Sequence, residues 1–333
     1  MPAGLVLPSW LWAPTTRGTL AMLAVLLALI SAVCFSGSDY AAGLASRGSS
    51  VVRVTVVAEV TATVLLVAVV PFVSSQAPSS RSLVWGALAG VGGVVGAMAL
   101  YLGFKYAAFS VASSVSAVGA AAFSVLAGFL FGEQPSAVAL AGIALALPAI
   151  AAVSVSTDPV SPALTDDSED RAGLAGGNDA PDPGGHPRRS ALGHHAAGVV
   201  AGLVSGAAFG LFFIGFNRAG SDTDLWPLVA AQLAGVVTVL CIAAVTRQIG
   251  LPSAGTRWFS VLSGITAAIA TLTYFLATHR GLLAVTAVIT SLYPAGTIVL
   301  ARVLLGERLT LIRMVGLCLA AASVALIAVA GTG

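Results

Sequence analysis

The chain carries one passage twice. Phe131-Gly132-Glu133 followed by Gly142 recurs as Leu305-Gly306-Glu307 followed by Gly316, an offset of 174 residues from Glu133 to Glu307. The offset holds far outside those motifs. Ser31 and Phe35 fall on Ser205 and Phe209, Gly90 on Gly264, and Val111 on Val285. Ala121, Val125, Leu126, Ala127 and Leu130 fall on Ala295, Val299, Leu300, Ala301 and Leu304. Two copies of one unit restrict the chain to folds in which the copies pack on each other. In a very apolar chain, such a duplication marks a carrier built from two related halves.

The apolarity is plain. The chain is 58% hydrophobic and 8% charged, whereas soluble domains carry about a quarter charged residues. A chain of 333 residues with so few charges cannot cover its surface with hydrated groups, so a lipid bilayer is its expected surroundings. Of the 13 acids, seven lie in one polar stretch: Asp158, Asp166, Asp167, Glu169, Asp170, Asp179 and Asp182. The net charge of +2 and the lack of a basic cluster with interleaved aromatics argue against nucleic acid as a partner. Cys34, Cys241 and Cys318 fall in apolar runs and are expected to be small buried hydrophobes rather than disulfides. His186, His194 and His195 have no Cys or carboxylate at ligand spacing, so neither a metal nor a cofactor is expected. No nucleophile elbow, phosphate loop or metalloprotease motif is present, which argues against an enzyme.

A spanning helix needs about 20 mostly apolar residues. Stretches near 19–44, 52–74, 82–105, 109–131, 136–156, 196–217, 225–246, 257–279, 282–305 and 309–330 qualify. The expected fold is therefore an all-α integral membrane protein of ten transmembrane helices. Residues 1–18 form a short leader, in which Trp10 and Trp12 suit the lipid–water interface. The first apolar run is too long for a signal-peptide core, so no cleavage is expected. Residues 157–195 are rich in Asp, Pro, Gly and Ser and read as a disordered linker. The two repeats are then 19–156 and 196–330, with five helices each. Five is odd, so the second copy enters the membrane from the opposite face, and the repeats are inverted. Arg17, Arg81, Arg218 and Arg280 fall on the side of the N-terminus, and the other eleven Lys and Arg on the opposite side. The positive-inside rule then places the linker in the cytoplasm and both termini outside, in the cell (inner) membrane.

Glycines recur every four residues at Gly198, Gly202, Gly206 and Gly210, and pair at Gly86 with Gly90 and Gly92 with Gly96. Such stripes let helix backbones approach closely. They serve either static packing or a sliding seam.

Ser291-Leu292-Tyr293-Pro294, then Leu304-Leu305-Gly306-Glu307-Arg308-Leu309, then Gly316, with Gly132-Glu133 and Gly142 in the first copy, resemble the EamA type of the drug/metabolite transporter superfamily. The resemblance spans nearly the whole chain apart from leader and linker. It implies ten helices in two five-helix repeats and carrier-type transport of small metabolites, often export, without fixing the substrate. One departure is Ala120, which stands where the second copy has Pro294 and removes an expected kink from the fourth helix.

A charged side chain inside a bilayer costs a few kcal/mol or more, about 2.5 at the least, and is a functional candidate by default. Glu59 lies about eight residues into the second span, ~12 Å deep by helix rise. Its repeat mate, shifted by one residue, is Gln232. Glu59 is a candidate for proton exchange or for pairing with a cationic substrate. The plainer alternative is a structural carboxylate held by a neighbouring helix or by Lys105. Asp39, in Ser36-Gly37-Ser38-Asp39-Tyr40, ends the first span on the same side, where it either faces water or joins Glu59. Two acids in one cavity favour a shared proton or a bound cation. Gln232, Tyr101, Tyr274 and Tyr293 complete the candidate set, the tyrosines being equally at home in packing.

The expected function is a secondary transporter, an exporter of a small metabolite or drug-like compound working by alternating access, with protons as candidate coupling ions and a homodimer as candidate assembly. The alternatives are an uncoupled facilitator, a membrane enzyme acting on lipid-linked substrates, and a scaffold without a cavity.

Overall fold

The computed structural model describes residues 17–46, 48–74, 77–106, 109–154, 187–220, 224–296, 299–300 and 311–330, of which 17–18, 71, 73, 101–114, 153–154, 187–199, 313 and 328 are described by their backbone alone. The described residues contain α-helix and no strand. The helices are α1 (Arg17–Ser46), α2 (Val51–Val73), α3 (Ser80–Tyr106), α4 (Phe109–Leu130), α5 (Ala137–Ser154), α6 (Pro187–Arg218), α7 (Trp226–Val245), α8 (Arg257–Thr278), α9 (Leu283–Thr290) and α10 (Leu311–Ala330). Six of these, α1, α2, α3, α6, α7 and α8, hold a stretch long and apolar enough to cross a membrane. The other four carry shorter apolar stretches, Val115–Leu130, Ala137–Ala152, Leu283–Gly296 and Met314–Ile327. Large apolar side chains point outward around the molecule, among them Leu26, Val33, Val64, Leu126, Val237 and Met314. Only a hydrocarbon solvent makes such an exterior favourable. The chain is a multi-pass membrane protein.

The outward apolar face also corrects the expectation for the cysteines. Cys241 and Cys318 are exposed and Cys34 is half-buried. In lipid, a small apolar residue gains nothing by facing inward.

The helix ends follow the apolar stretches closely, with two departures. α6 starts at Pro187, ahead of residue 196. Proline suits the first helical position, because its missing N–H would lack a partner there in any case. The rest of the linker and the leader, including Trp10 and Trp12, lie outside the described residues. The second departure is α9, expected to run to residue 305. It stops at Thr290 and gives way to a turn at Ser291 and Leu292, and helix is described again over 293–296 and 299–300. Pro294 is the cause: it has no N–H for the Thr290 carbonyl, and its ring crowds that carbonyl.

The two halves pack by a repeating rule. α3 packs on α6 and α1 on α8, while α3 packs on α7 and α2 on α8. Exchanging the halves converts each of these pairs into the other. α2·α7, α4·α9 and α5·α10 are each their own mate. The hydrogen bonds repeat too. Ser31 donates to the Ala270 carbonyl, and its mate Ser205 donates to the Gly96 carbonyl, both at 2.8 Å. α2 and α7 cross antiparallel: Glu59 neighbours Gly235, while four residues later Thr63 meets the Gln232 carbonyl.

Glycine sets the closeness of these seams. A Cβ on Gly90 of α3 would fall on the Ala231 carbonyl of α7, and one on its mate Gly264 of α8 would fall on the Ala58 carbonyl of α2. Gly92 and Gly96 meet α6 at Ala208 and Phe209, and Gly206 and Gly210 meet α4 at Ser116 and Phe123. Gly198 has no described side-chain surroundings.

The Gly-Glu signature ties one half to the other. α4 ends with Gly132 at φ +85°. Glu133 N–H donates to the Gly128 carbonyl and Gly132 N–H to the Phe129 carbonyl, the pattern that closes a helix on a left-handed glycine. The turn folds the Glu133 side chain over Gly128, which leaves it room. Its carboxylate then accepts hydrogen bonds from the backbone N–H groups of Leu283 (2.6 Å) and Ala284 (3.0 Å) at the start of α9. An anion at a helix N-terminus satisfies orphan donors and complements the helix dipole. Glu133→Ala is expected to lower stability by about 2 kcal/mol, the upper range for a lost N-cap. Thermal melting of the detergent-purified protein tests this, with faster amide exchange at Leu283 and Ala284 as the local signature. Unchanged exchange at both amides contradicts the capping role.

Candidate functional site

The glycine seams meet around a central cavity of about 130 Å³. Both halves build it. Phe35, Ser38 and Asp39 come from α1, Thr55 and Glu59 from α2, and Gly90, Gly93 and Ala97 from α3. The second half adds Phe209, Phe212 and Phe213 from α6, Gln232 from α7, Ser263 and Thr271 from α8, and Tyr293 just past the α9 break.

Asp39 and Glu59 therefore share one cavity. α1 continues to Ser46, so Asp39 sits about two turns inside the helix rather than at its end. Both carboxylates are only partly covered, because they border the cavity. Among the described residues, neither carboxylate has a hydrogen bond or ion pair. Lys105, the suggested partner of Glu59, has its side chain outside the described residues. The Glu59 carboxylate lies against the α7 backbone at Gly235, where a larger residue would crowd it.

Gln232 and Tyr293 line the same space. Tyr274 does not: it is fully buried, its hydroxyl donates to the Phe213 carbonyl at 3.2 Å, and its ring packs on Phe212 and Phe213. It supports the aromatic wall from behind. Tyr101 lies on α3 with its side chain outside the described residues.

The aromatic wall was not anticipated. Phe212 meets Phe35 edge-on across the halves with ring centroids 6.0 Å apart, and meets Phe216 at 4.9 Å. The signal was present in the register, since Phe35 and Phe209 are repeat mates and both line the cavity. Phe213 is the mate of Asp39, so the same position supplies charge from one half and an aromatic ring from the other.

The α9 break also disturbs the symmetry beside the cavity. In the first half, Ser116 shares a 2.7 Å hydrogen bond with Ser205. Their mates are Thr290 and Ser31, and the Thr290 hydroxyl is buried with no hydrogen-bond partner among the described residues, as is that of Ser291. Ser36 of α1 donates instead to the Tyr293 carbonyl at 2.7 Å, holding the interrupted segment in place. The unbroken α4, with Ala120 where the second half has Pro294, keeps its pairing.

The described residues contain no cluster of His, Cys, Asp and Glu able to hold a metal ion. No curated protein matches the chain. A solved structure described as "Crystal structure of protein" is similar to it with a TM-score of 0.67 at 17% identity, covering 91% of this chain and 97% of the other. That likeness concerns the fold alone. The model of the EamA-like transporter family matches twice, at residues 22–155 and 196–329, one match for each half of the duplication. The chain belongs to the EamA-like transporter family, a family of membrane transporters of small compounds.

Proposed function

We propose that the protein is a proton-coupled secondary transporter that exports a small metabolite or drug-like compound across the cell membrane. Its ten membrane helices form two inverted five-helix repeats, with the linker in the cytoplasm and both termini outside. The observation that carries this reading is the central cavity: both halves line it, and it holds two carboxylates without a described partner. The antiparallel crossing of α2 and α7 and the exchanged helix pairs support inversion. A site bounded equally by two inverted halves is reached from either face when one half rocks against the other. Glu59 and Asp39 carry the proton: each cycle returns one proton to the carboxylate pair as cargo leaves. Gln232 and Tyr293 supply neutral polar contacts to the cargo.

The test is transport by the purified protein in liposomes, with amino acids, sugars, nucleosides and organic cations offered in turn. Accumulation of at least one class under an imposed pH gradient, lost when the gradient is collapsed, is the expected result. Equal transport with and without the gradient identifies an uncoupled facilitator instead. The cavity also speaks against a scaffold, and the gathering of its acids in a cavity lined by both halves favours a carrier over an enzyme for lipid-linked substrates.

A further inference from the structure

Which cargo suits the cavity follows from what its walls offer. We infer that the site selects small organic cations, a cationic head held by Asp39 and Glu59 and an apolar or aromatic body against Phe35, Phe209 and Phe212. This rests on the transport reading for its biological use, but the binding chemistry stands by itself.

Charge comes first. Each helix packed around the two carboxylates presents neutral groups among its described lining residues. α3 offers Gly90, Gly93, Val94 and Ala97, and α4 offers Ala120. α6 offers only phenylalanine rings, α7 Ala231 and Gln232, and α8 Ser263, Ala267 and Thr271. Thr55 and Ser38 are neutral, and the phenol of Tyr293 is the one further ionisable group among the described lining residues. Arg53, on α2, lies with its guanidinium beside Gly250 and is not part of the lining. Two carboxylates in a low-dielectric space without a described cation are stabilised by a proton or by a positively charged guest. An anionic guest meets repulsion from both, and nothing described in the wall offsets it.

The wall chemistry narrows the class further. Aromatic side chains attract cations through their negative faces, most strongly where water is excluded. Ser38, Thr55, Gln232, Ser263, Thr271 and Tyr293 add neutral polar groups, but most of the lining residues are apolar, which disfavours polyhydroxylated cargo such as sugars. The cavity, at about 130 Å³, lies below the ~300–1,000 Å³ of drug-sized sites. One ring bearing an amine or quaternary ammonium fits this description.

The test is calorimetric binding to the full-length protein in detergent, using three probes that share a phenyl ring: benzyltrimethylammonium, benzyl alcohol and phenylacetate. The cation is expected to bind about tenfold or more tightly than either other probe, the effect of one well-placed charge pair. Its affinity is expected to fall as pH is lowered, because protons compete for the same carboxylates. Asp39→Asn and Glu59→Gln are each expected to weaken it by about tenfold or more. Phenylacetate or benzyl alcohol binding as tightly as the cation overturns the inference, and so does unchanged cation affinity in the Asp39→Asn, Glu59→Gln double variant. The three-probe comparison on the unaltered protein decides the matter even where a variant fails to fold. A liposome arm separates the two readings. Transport of neutral or anionic compounds without cation binding sinks the cation site and leaves the transporter. Cation binding without movement of any compound sinks the transporter and leaves the site.

Discussion

Glu59→Gln is expected to reduce gradient-driven transport by about 5–150-fold, the span of ordinary coupling energies between two bound species. The substitution is nearly isosteric. The side chain lies against the α7 backbone at Gly235, and a carboxamide fills the same room. What is lost is the ability to bind and release a proton and to balance a positive guest. Glu59 has no described partner whose loss would upset the packing, so the melting temperature is expected to hold while transport falls. Parallel measurement of melting and of proteoliposome transport, with and without an imposed pH gradient, separates the two effects. Unchanged rate and unchanged gradient dependence would remove Glu59 from the coupling mechanism, leaving it as a wall of the cavity.

Gly90→Leu is expected to be the most damaging single change to the fold. A Cβ at this position lands on the main-chain carbonyl of Ala231. A flexible side chain could turn aside, but a helix backbone cannot, so α3 and α7 must separate along the seam between the halves. Overpacking of this kind costs about 3 kcal/mol or more, the upper end of the range for cores. Because the total stability of a protein is only about 5–15 kcal/mol, the expected outcome is a sharp loss of monodisperse protein on size exclusion and a lowered melting temperature in what remains. The mate position makes an internal control: Gly264→Leu pushes α8 against the Ala58 carbonyl and is expected to do comparable damage. If both variants purify and melt like the parent, the close glycine seams are not what holds the halves together.

Much of this architecture was legible because lipid simplifies the reading. In a bilayer every helix interior is apolar, so the ends are marked wherever charge, Gly, Pro or Ser interrupts, and the observed helices follow those marks. The repeat register did more than locate helices. It paired Ser31 with Ser205 and Gly90 with Gly264, and each pair makes equivalent contacts. Asp39 and Glu59 stood out because few acids occur outside the linker, and they meet in one cavity. What the sequence concealed is directional. Tyr274 and Tyr293 look alike in the chain, yet one is sealed behind the aromatic wall and the other borders the cavity. Helix rotation decides this, and an all-round apolar helix carries no pattern that reveals which face turns inward. The aromatic wall is hidden in the sequence for the same reason, since phenylalanine is equally comfortable facing lipid. Pro294 announced a kink. That it would also strand the hydroxyls of Thr290 and Ser291 required the packed structure.

The central claim is that one cavity between two halves opens to each side of the membrane in turn, and it can be tested before any cargo is known. Ala97 borders the cavity on α3 and is small enough to become cysteine without crowding. With Cys34, Cys241 and Cys318 replaced by alanine, Ala97→Cys in oriented membranes is exposed to a membrane-impermeant maleimide from one face or the other. Labelling from both faces is the predicted result. Labelling from one face only, or from neither, would contradict alternating access through this cavity.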